Sequence, residues 1–377
     1  MLRIYAWKFY KYNNDYFIQY THWVYLSEIC QLFKKIEIIA PIENIQSKDK
    51  LGSLIMVNFE NISFLEISNI NSFQSGYNNI LKLFLLCIKL NKVDKLYLRY
   101  PFPLTWLVRL FHRNKIIYHF VGNPLDVLNK SKRIKDKLKL LLYIPDLFFT
   151  VLSTIRTRVF ANGNQLALLL NKLHIKANPI ISSTLKEHEI DQVYEKKRFK
   201  KSINLLYVGY LRETKNVDVL IESVKIIENQ LKDFSIIFNI VGTGVLFSEL
   251  HSSSRETLNS KFIFHGHIDD RSKLLSLYKE NDIYLFASSS EGSPRSVLEA
   301  MAKSCIVVSS KVGSLPFTFK DSKDIVFVEE ICPKDFAEKV EQIITGEIDF
   351  NCIGQNANIK VKKMTIKAFI KKIFNDS

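Results

Sequence analysis

In the second half of the chain, apolar runs of strand length alternate with stretches of helical period. The runs "INLLYVGYL", "FSIIFNIVG", "FIFHGH", "DIYLFAS", "IVVSS" and "DIVFVEE" are nearly continuous in apolar residues. Between them lie "VDVLIESVKIIENQL", "VLFSELHSS", "RSKLLSLYKEN" and Pro294–Lys303. Val217, Leu220, Ile221, Val224 and Ile227 fall at the spacing of one helix face. Continuous apolar strands separated by helices predict a parallel sheet covered on both sides. Ligands of such sheets collect at the carboxyl ends of the strands. Gly209, Gly242, Gly266 and the Glu291–Gly292 loop all fall at those ends.

The first half repeats the pattern more faintly, in "IEIIAPI", "SFLEIS", "KLYLRYP", "KIIYHFVG", "RVFANG" and "ANPIIS". A chain of 377 residues is long for one core, so two domains are expected. The charged, core-poor stretch over residues 186–202 reads as the boundary. The expected layout is therefore α/β, with two Rossmann-like parallel-sheet domains facing across a cleft. They cover residues 1–190 and 200–355, and a C-terminal helix over 356–377 is expected to pack back toward the first domain.

Charge changes this picture. Residues 1–190 hold 26 Lys and Arg against 13 Asp and Glu, while the remainder holds 27 against 25. The densest piece, Lys130 to Lys139, has six basic residues and one acid and runs into apolar sequence. Basic and apolar residues together suit an anionic membrane surface, and equally a solvated helix face. No apolar run approaches the roughly 20 residues of a membrane span, and the start has no signal-peptide pattern. A cytoplasmic protein, peripheral on the inner face of the plasma membrane, is the expectation. Nucleic acid is not expected as a partner, because no basic–aromatic stripe or known module is visible. Five cysteines without a CxxC pair read as reduced thiols.

The stretch "SSSEGSPRSVLEAMAKS" places Glu291 and Glu299 eight residues apart. On a continuous helix they would differ by about 80° and lie ~12 Å apart along the axis. Gly292 and Pro294 argue instead for a loop followed by a helix, with Ser293 as its N-cap and Pro294 at its first position. Glu291 then sits in the loop, Glu299 in the second turn, and the helix N-terminus between them. Such an arrangement suits a phosphate flanked by sugars.

At this point the sequence from Asn204 to about Lys320 resembles the donor-binding domain of GT-B-fold retaining glycosyltransferases of family 4. "LLYVGYLRETKNVDVLIES" resembles that family's glycine-loop strand, basic pair and following helix. "IVGTGVLFSEL" resembles its second glycine motif, and the block from Phe264 to Pro316 follows its long core, including the E-x7-E pair. The resemblance implies a nucleotide-sugar donor, UDP- or GDP-linked, and no cofactor. It implies Lys215 on the phosphates, with Gly209 and Gly242 in the donor site. His267 and Ile268 are implied beside the base, Glu299 on the ribose hydroxyls and Glu291 on the transferred sugar. The turn and first helical residues Gly292, Ser293, Pro294, Arg295, Ser296 and Val297 are implied at the diphosphate. Lys215 also reads as a surface lysine at a helix start, and Glu299 as a solvated helix acid.

Two positions depart from the family. Tyr210 stands where an Arg usually follows the first glycine; Arg212, of the same strand parity, is the expected substitute. Val121 stands where a His usually precedes Gly122. His119, two residues earlier, is then either the catalytic histidine acting from deeper in or a satisfied core histidine. The N-terminal glycine loop of the family has no counterpart in "AWKFYKYNNDYF". No D-x-D occurs, and His265 with His267 lacks further ligands at metal spacing, so no metal is expected. The implied activity is a metal-independent retaining transfer to a glycan acceptor, on a lipid pyrophosphate, in bacterial O-antigen, lipopolysaccharide or capsule assembly. A sugar-nucleotide epimerase on the same fold and a catalytically silent scaffold are the rival readings.

Overall fold

The computed structural model describes residues 1–68, 73–123, 134–199, 201–254 and 260–375, with side chains for all of these except 73 and 134–140. The side chains of the basic stretch Lys130–Lys139 therefore lie outside the described residues. The chain forms two compact units, Met1–Ile181 with Phe369–Ser377, and Ser182–Ala368.

The second unit is built on six strands: β11 (Ser202–Val208), β12 (Ser235–Val241), β13 (Lys261–Gly266), β14 (Ile283–Phe286), β15 (Ile306–Ser309) and β16 (Val326–Phe327). They lie in the order β13-β12-β11-β14-β15-β16, and every neighbouring pair is parallel. This is a doubly wound sheet whose strand order reverses between β11 and β14, the crevice where such sheets receive ligands. Its core joins Leu205 and Tyr207 of β11 to Leu220, Ile221, Val224 and Ile227 of the helix Val217–Gln230. That is the face set out by the 3.6-residue period.

The first unit contains the ten strands β1 (Leu2–Tyr5), β2 (Phe9–Tyr12), β3 (Asp15–Gln19), β4 (Ile36–Asn44), β5 (Leu54–Met56), β6 (Ile62–Ser68), β7 (Lys95–Tyr100), β8 (Lys115–Phe120), β9 (Arg158–Asn162) and β10 (Ala177–Ile180). The pairings β6-β4-β1-β7-β8-β9-β10 are parallel and again doubly wound. An antiparallel edge is added by β2, β3 and β5. β1 and β2 run successively along β4, Ile4 opposite Ile38 and Phe9 opposite Ile42. The chain then turns back through Asn13, at φ 54°, into β3. A strand and hairpin thus occupy the place where a glycine loop was sought. The aromatic-rich sequence around Asn13-Asn14 is the hairpin signal that could have shown it.

The chain divides at Ile181 and Ser182, ahead of the 186–202 stretch expected to be a boundary. That stretch packs into the second unit, with Glu189 and Ile190 buried. Its charges pair with the same unit: Glu189 with Arg271 at 3.0 Å, Asp191 with Lys303 at 2.9 Å, and Glu195 with Lys279 at 2.8 Å. At the other end, the expected single helix is two, Phe350–Val361 and Ile366–Phe374. Phe369 packs on Tyr25 and His119, and Phe374 on Phe33 and Tyr97, which ties the end of the chain to the first unit.

Candidate active site

The switch point of the second sheet is closed by backbone contacts that only small residues allow. Gly242 has φ 137°, and a Cβ there would stand 1.8 Å from the carbonyl oxygen of Gly209. The Gly209 amide donates to Val241 O at 3.0 Å and the Gly242 amide to Gly266 O at 2.8 Å, which lashes the ends of β11, β12 and β13 together. On the other side, Gly313, at φ 60°, would set a Cβ 2.8 Å from the carbonyls of Glu291 and Gly292. The Ser314 amide donates to Gly292 O at 2.9 Å, fixing the loop that carries Glu291.

Lys215 and Glu291 meet in this crevice. Lys215 ends the short 3-10 turn Glu213–Lys215 after β11, and its Nζ forms an ion pair with Glu291 Oε1. Both side chains are largely covered, 12% and 19% exposed. The turn is held by Ser289 N and Ser288 Oγ on Thr214 O, at 2.9 and 3.2 Å, and by Asn216 Nδ2 on Ala287 O at 2.8 Å. Ser288 Oγ also donates to Glu291 Oε1 at 3.3 Å, and the Phe286 ring lies 5.9 Å from the ammonium. The pair is thus built by two loops on either side of the strand-order reversal.

The helix that follows covers Arg295–Ala302 and has Pro294 at its N-cap. It starts one residue later than expected, and Ser293 is not its cap: the Ser293 hydroxyl donates to Ser182 O at 3.4 Å. Pro294 makes no side-chain cap bond, and the positive end of the helix dipole begins directly after the Glu291–Gly292 loop.

Glu299 lies on this helix but is no solvated acid; it is 7% exposed. Its Oε1 accepts from Arg271 Nη1 at 2.7 Å and Thr184 Oγ1 at 3.4 Å, and its Oε2 from the Tyr278 hydroxyl at 3.2 Å. Arg271 simultaneously grips Glu189 through Nε and Nη2, at 3.0 and 3.2 Å. Burial acts to raise the Glu189 carboxyl, but the Arg271 guanidinium and the Lys186 amide outweigh it and hold the group below its usual range. Arg271, Tyr278 and Glu189 were not singled out from sequence. Asp270, which caps the helix Arg271–Glu280 by accepting from the amides of Ser272 and Lys273, is a legible signal placing Arg271 at a helix start near the end of β13. Nothing in the sequence points to Glu189.

The remaining expected residues sit as follows. Tyr210 is 54% exposed, and Arg212 is exposed ahead of the 3-10 turn. β11 ends at Val208, so the strand parity invoked for these two does not extend to them. His267 is exposed just past β13, with Nε2 3.0 Å from Asp269 Oδ1, and Ile268 follows half-buried. His119 corrects one expectation: it belongs to the core of the first unit. It is 4% exposed, its Nε2 lies 2.8 Å from Asn162 Oδ1 and its Nδ1 2.6 Å from the Tyr97 hydroxyl. Burial, with the nearby charge of Arg99, lowers its pKa to about 3. A neutral imidazole with both nitrogens occupied is a structural group, and it has no lone pair to offer a substrate. Among the described residues no cluster of three His, Cys, Asp or Glu is placed to hold a metal ion.

The model of the family described as glycosyl transferases group 1 matches residues 165–360. The glycosyltransferase MJ1069 of Methanocaldococcus jannaschii is 27% identical over 217 residues, 55% of this chain and 55% of its own length. The capsular polysaccharide biosynthesis glycosyltransferase CapH of Staphylococcus aureus is 27% identical over 247 residues, 63% of this chain and 65% of its own. The match thus spans about half to two thirds of these two relatives. The crystal structure of Anabaena HepE in complex with UDP has a TM-score of 0.65 at 14% identity, covering 99% of this chain and 97% of that one. It shares the GT-B fold. With the family model covering more than half of its residues, the chain belongs to the glycosyl transferases group 1 family.

Proposed function

We propose that the protein transfers a sugar from a nucleotide-sugar donor to a glycan acceptor, with retention of anomeric configuration. The observation that carries this reading is the Lys215–Glu291 pair at the switch point, beside a helix N-terminus without a side-chain cap. A UDP- or GDP-linked donor presents a diphosphate whose charge grows as the glycosidic bond breaks. Lys215 leaves Glu291 for that diphosphate, and the first-turn amides of the helix at Arg295 add fixed dipoles aimed at the same charge. Glu291, released from Lys215, takes hydroxyls of the transferred sugar and orients it. Glu299, held by Arg271 and Tyr278, keeps acceptor capacity for the ribose hydroxyls. Exposed His267 and its neighbour Ile268 lie at the end of β13 for the base.

In the transfer step the bond between the anomeric carbon and the diphosphate oxygen breaks. A bond from the acceptor hydroxyl oxygen forms on the same face, and the hydroxyl proton passes to the departing phosphate oxygen. The donor supplies its own base, so the reading requires neither a protein nucleophile nor a metal or further cofactor. The acceptor is a glycan on a lipid pyrophosphate at the cytoplasmic face of a membrane, and the setting is assembly of capsule, O-antigen or lipopolysaccharide. The capsular name of the Staphylococcus relative supports the capsule setting, and the UDP in the HepE structure supports a nucleotide-linked donor, both by likeness.

The test is release of free nucleotide from a panel of UDP- and GDP-sugars, with and without lipid-pyrophosphate glycan. Acceptor-dependent release that Lys215→Ala abolishes is expected. Acceptor-independent conversion of a nucleotide sugar into its epimer, with the nucleotide still attached, would instead identify the epimerase. A catalytically silent scaffold draws on Tyr210, which removes a bidentate phosphate ligand; identical traces from wild type and Lys215→Ala, without release from any donor, would establish it.

A further inference from the structure

We infer that the first unit carries a membrane-docking face, formed by three adjacent helices, whose partner is an anionic lipid bilayer. A surface helix ordinarily shows one apolar stripe, directed at the core. The helix Ile80–Ile88 shows two. Leu83 and Cys87 face the core, while Leu81, Phe84, Leu85 and Ile88, at i, i+3, i+4 and i+7, are 67%, 40%, 50% and 56% exposed. The helix Ile134–Ser153 repeats this. Tyr143, Asp146 and Thr150 are buried, while Leu141, Ile144, Phe148 and Leu152 form an outer stripe, 47–71% exposed.

The helix Thr105–Leu110 connects the two. Phe111, at its end, packs edge-on against Phe84 at 5.5 Å, and its Trp106 lies against Phe149 at 4.9 Å. Leu110 is itself 63% exposed. The outer stripes are therefore one continuous surface. These side chains are about half bare, and at on the order of 80 Å² apiece they together still exceed the about 300–600 Å² of an ordinary monomer's largest apolar patch. No described helix is long and apolar enough to cross a membrane, so the face would lie in the bilayer surface rather than span it.

Charge selects the partner. Residues 80–155 hold fourteen Lys and Arg and four Asp and Glu. Lys82, Lys89, Lys92, Arg113 and Arg156 are exposed. Of the acids with described side chains, Asp146 is buried and Asp94 pairs with the N-terminal amine. Exposed cations on these helices and the turns next to them, together with the apolar side chains, match anionic headgroups over acyl chains. A second copy would set the same cations against one another across a two-fold contact. The inference depends on the glycosyltransfer reading only for its purpose, which is to bring the protein to a lipid-linked acceptor; the surface itself belongs to the first unit alone.

The experiment is flotation of the full chain with vesicles of phosphatidylcholine, either alone or containing about one quarter phosphatidylglycerol. We expect at least tenfold stronger partitioning onto the anionic vesicles, weakened severalfold by high salt. The double variant Leu85→Glu/Phe148→Glu should lose at least tenfold of this while nucleotide binding, a property of the second unit, is unchanged. Should that variant fail to fold, Leu81→Ser/Leu141→Ser makes the same test at the two most exposed positions of the stripes. Equal partitioning of variant and wild type, or no partitioning onto either vesicle, would overturn the inference. So would a concentration-dependent dimer that the same substitutions dissolve, since that would assign the face to a second copy. Vesicle binding without any nucleotide binding would leave the face standing and remove the donor site instead.

Discussion

At the scale of single residues, the site is held by charges that neutralise one another. Lys215 and Glu291 form a covered ion pair, and Arg271 bridges Glu189 and Glu299. Each pairing leaves no isolated buried charge, and in the proposed reading each holds a group that the donor recruits at little desolvation cost. Lys215→Met is expected to lower the transfer rate about 10²–10³-fold, the loss typical of one donor to developing charge, with a smaller effect on donor KM; steady-state kinetics reads both. Arg271→Ala should weaken donor binding through Glu299, which it positions, and Arg271→Lys should recover only part, because a point charge cannot hold two carboxylates as a fork does. Titration calorimetry on the two variants checks the order. His119 makes a prediction of a different kind. Its folded pKa of about 3 lies below the roughly 6.5 of an unfolded histidine. The unfolded chain therefore binds the additional proton between those values, and the contribution of His119 to stability is lost as pH falls from about 6.5 toward 3. Denaturant melts of His119→Gln should show a shallower acid loss over that window than wild type. The placing of Glu291 in a loop and Glu299 on the helix after it was legible, because Gly292 and Pro294 break the helix between them. The true surroundings of His119 and Glu299 were not, since burial and partners such as Asn162 and Arg271 come from distant segments.

At the scale of elements, the parallel strands of the second unit and their helices were readable from apolar period, and the glycines punctuated their ends. Gly242 is the most demanding of these. Gly242→Ala must move the β11 and β12 loops apart, and should cost about 2–4 kcal/mol, combining positive-φ strain with a backbone clash. Chemical denaturation measures this, and an unchanged midpoint would show that the loops yield freely. Less legible were the elements that polarity disguised. The 186–202 stretch looked like a linker because its acids and bases are many, yet Glu189, Asp191 and Glu195 spend them on Arg271, Lys303 and Lys279 of one unit. The β2–β3 hairpin is not legible from glycine, because Asn13 takes the left-handed conformation at its turn.

At the scale of the whole molecule, two doubly wound sheets present different side chains. The second unit presents paired charges and backbone amides at its switch point, suited to a nucleotide sugar. The first bears the excess of positive charge and an apolar outer surface, suited to a lipid phase. The basic composition was visible in the sequence; the three-helix surface was not, because a helix with two apolar stripes reads as a buried one. The central claim is the donor site, and its most direct test is calorimetric titration of the purified protein with UDP, GDP and ADP in parallel. Selective binding of one nucleotide, weakened at least tenfold by both Lys215→Ala and Glu299→Ala, is the result this account predicts. Binding of none, or binding that both substitutions leave unchanged, would contradict it.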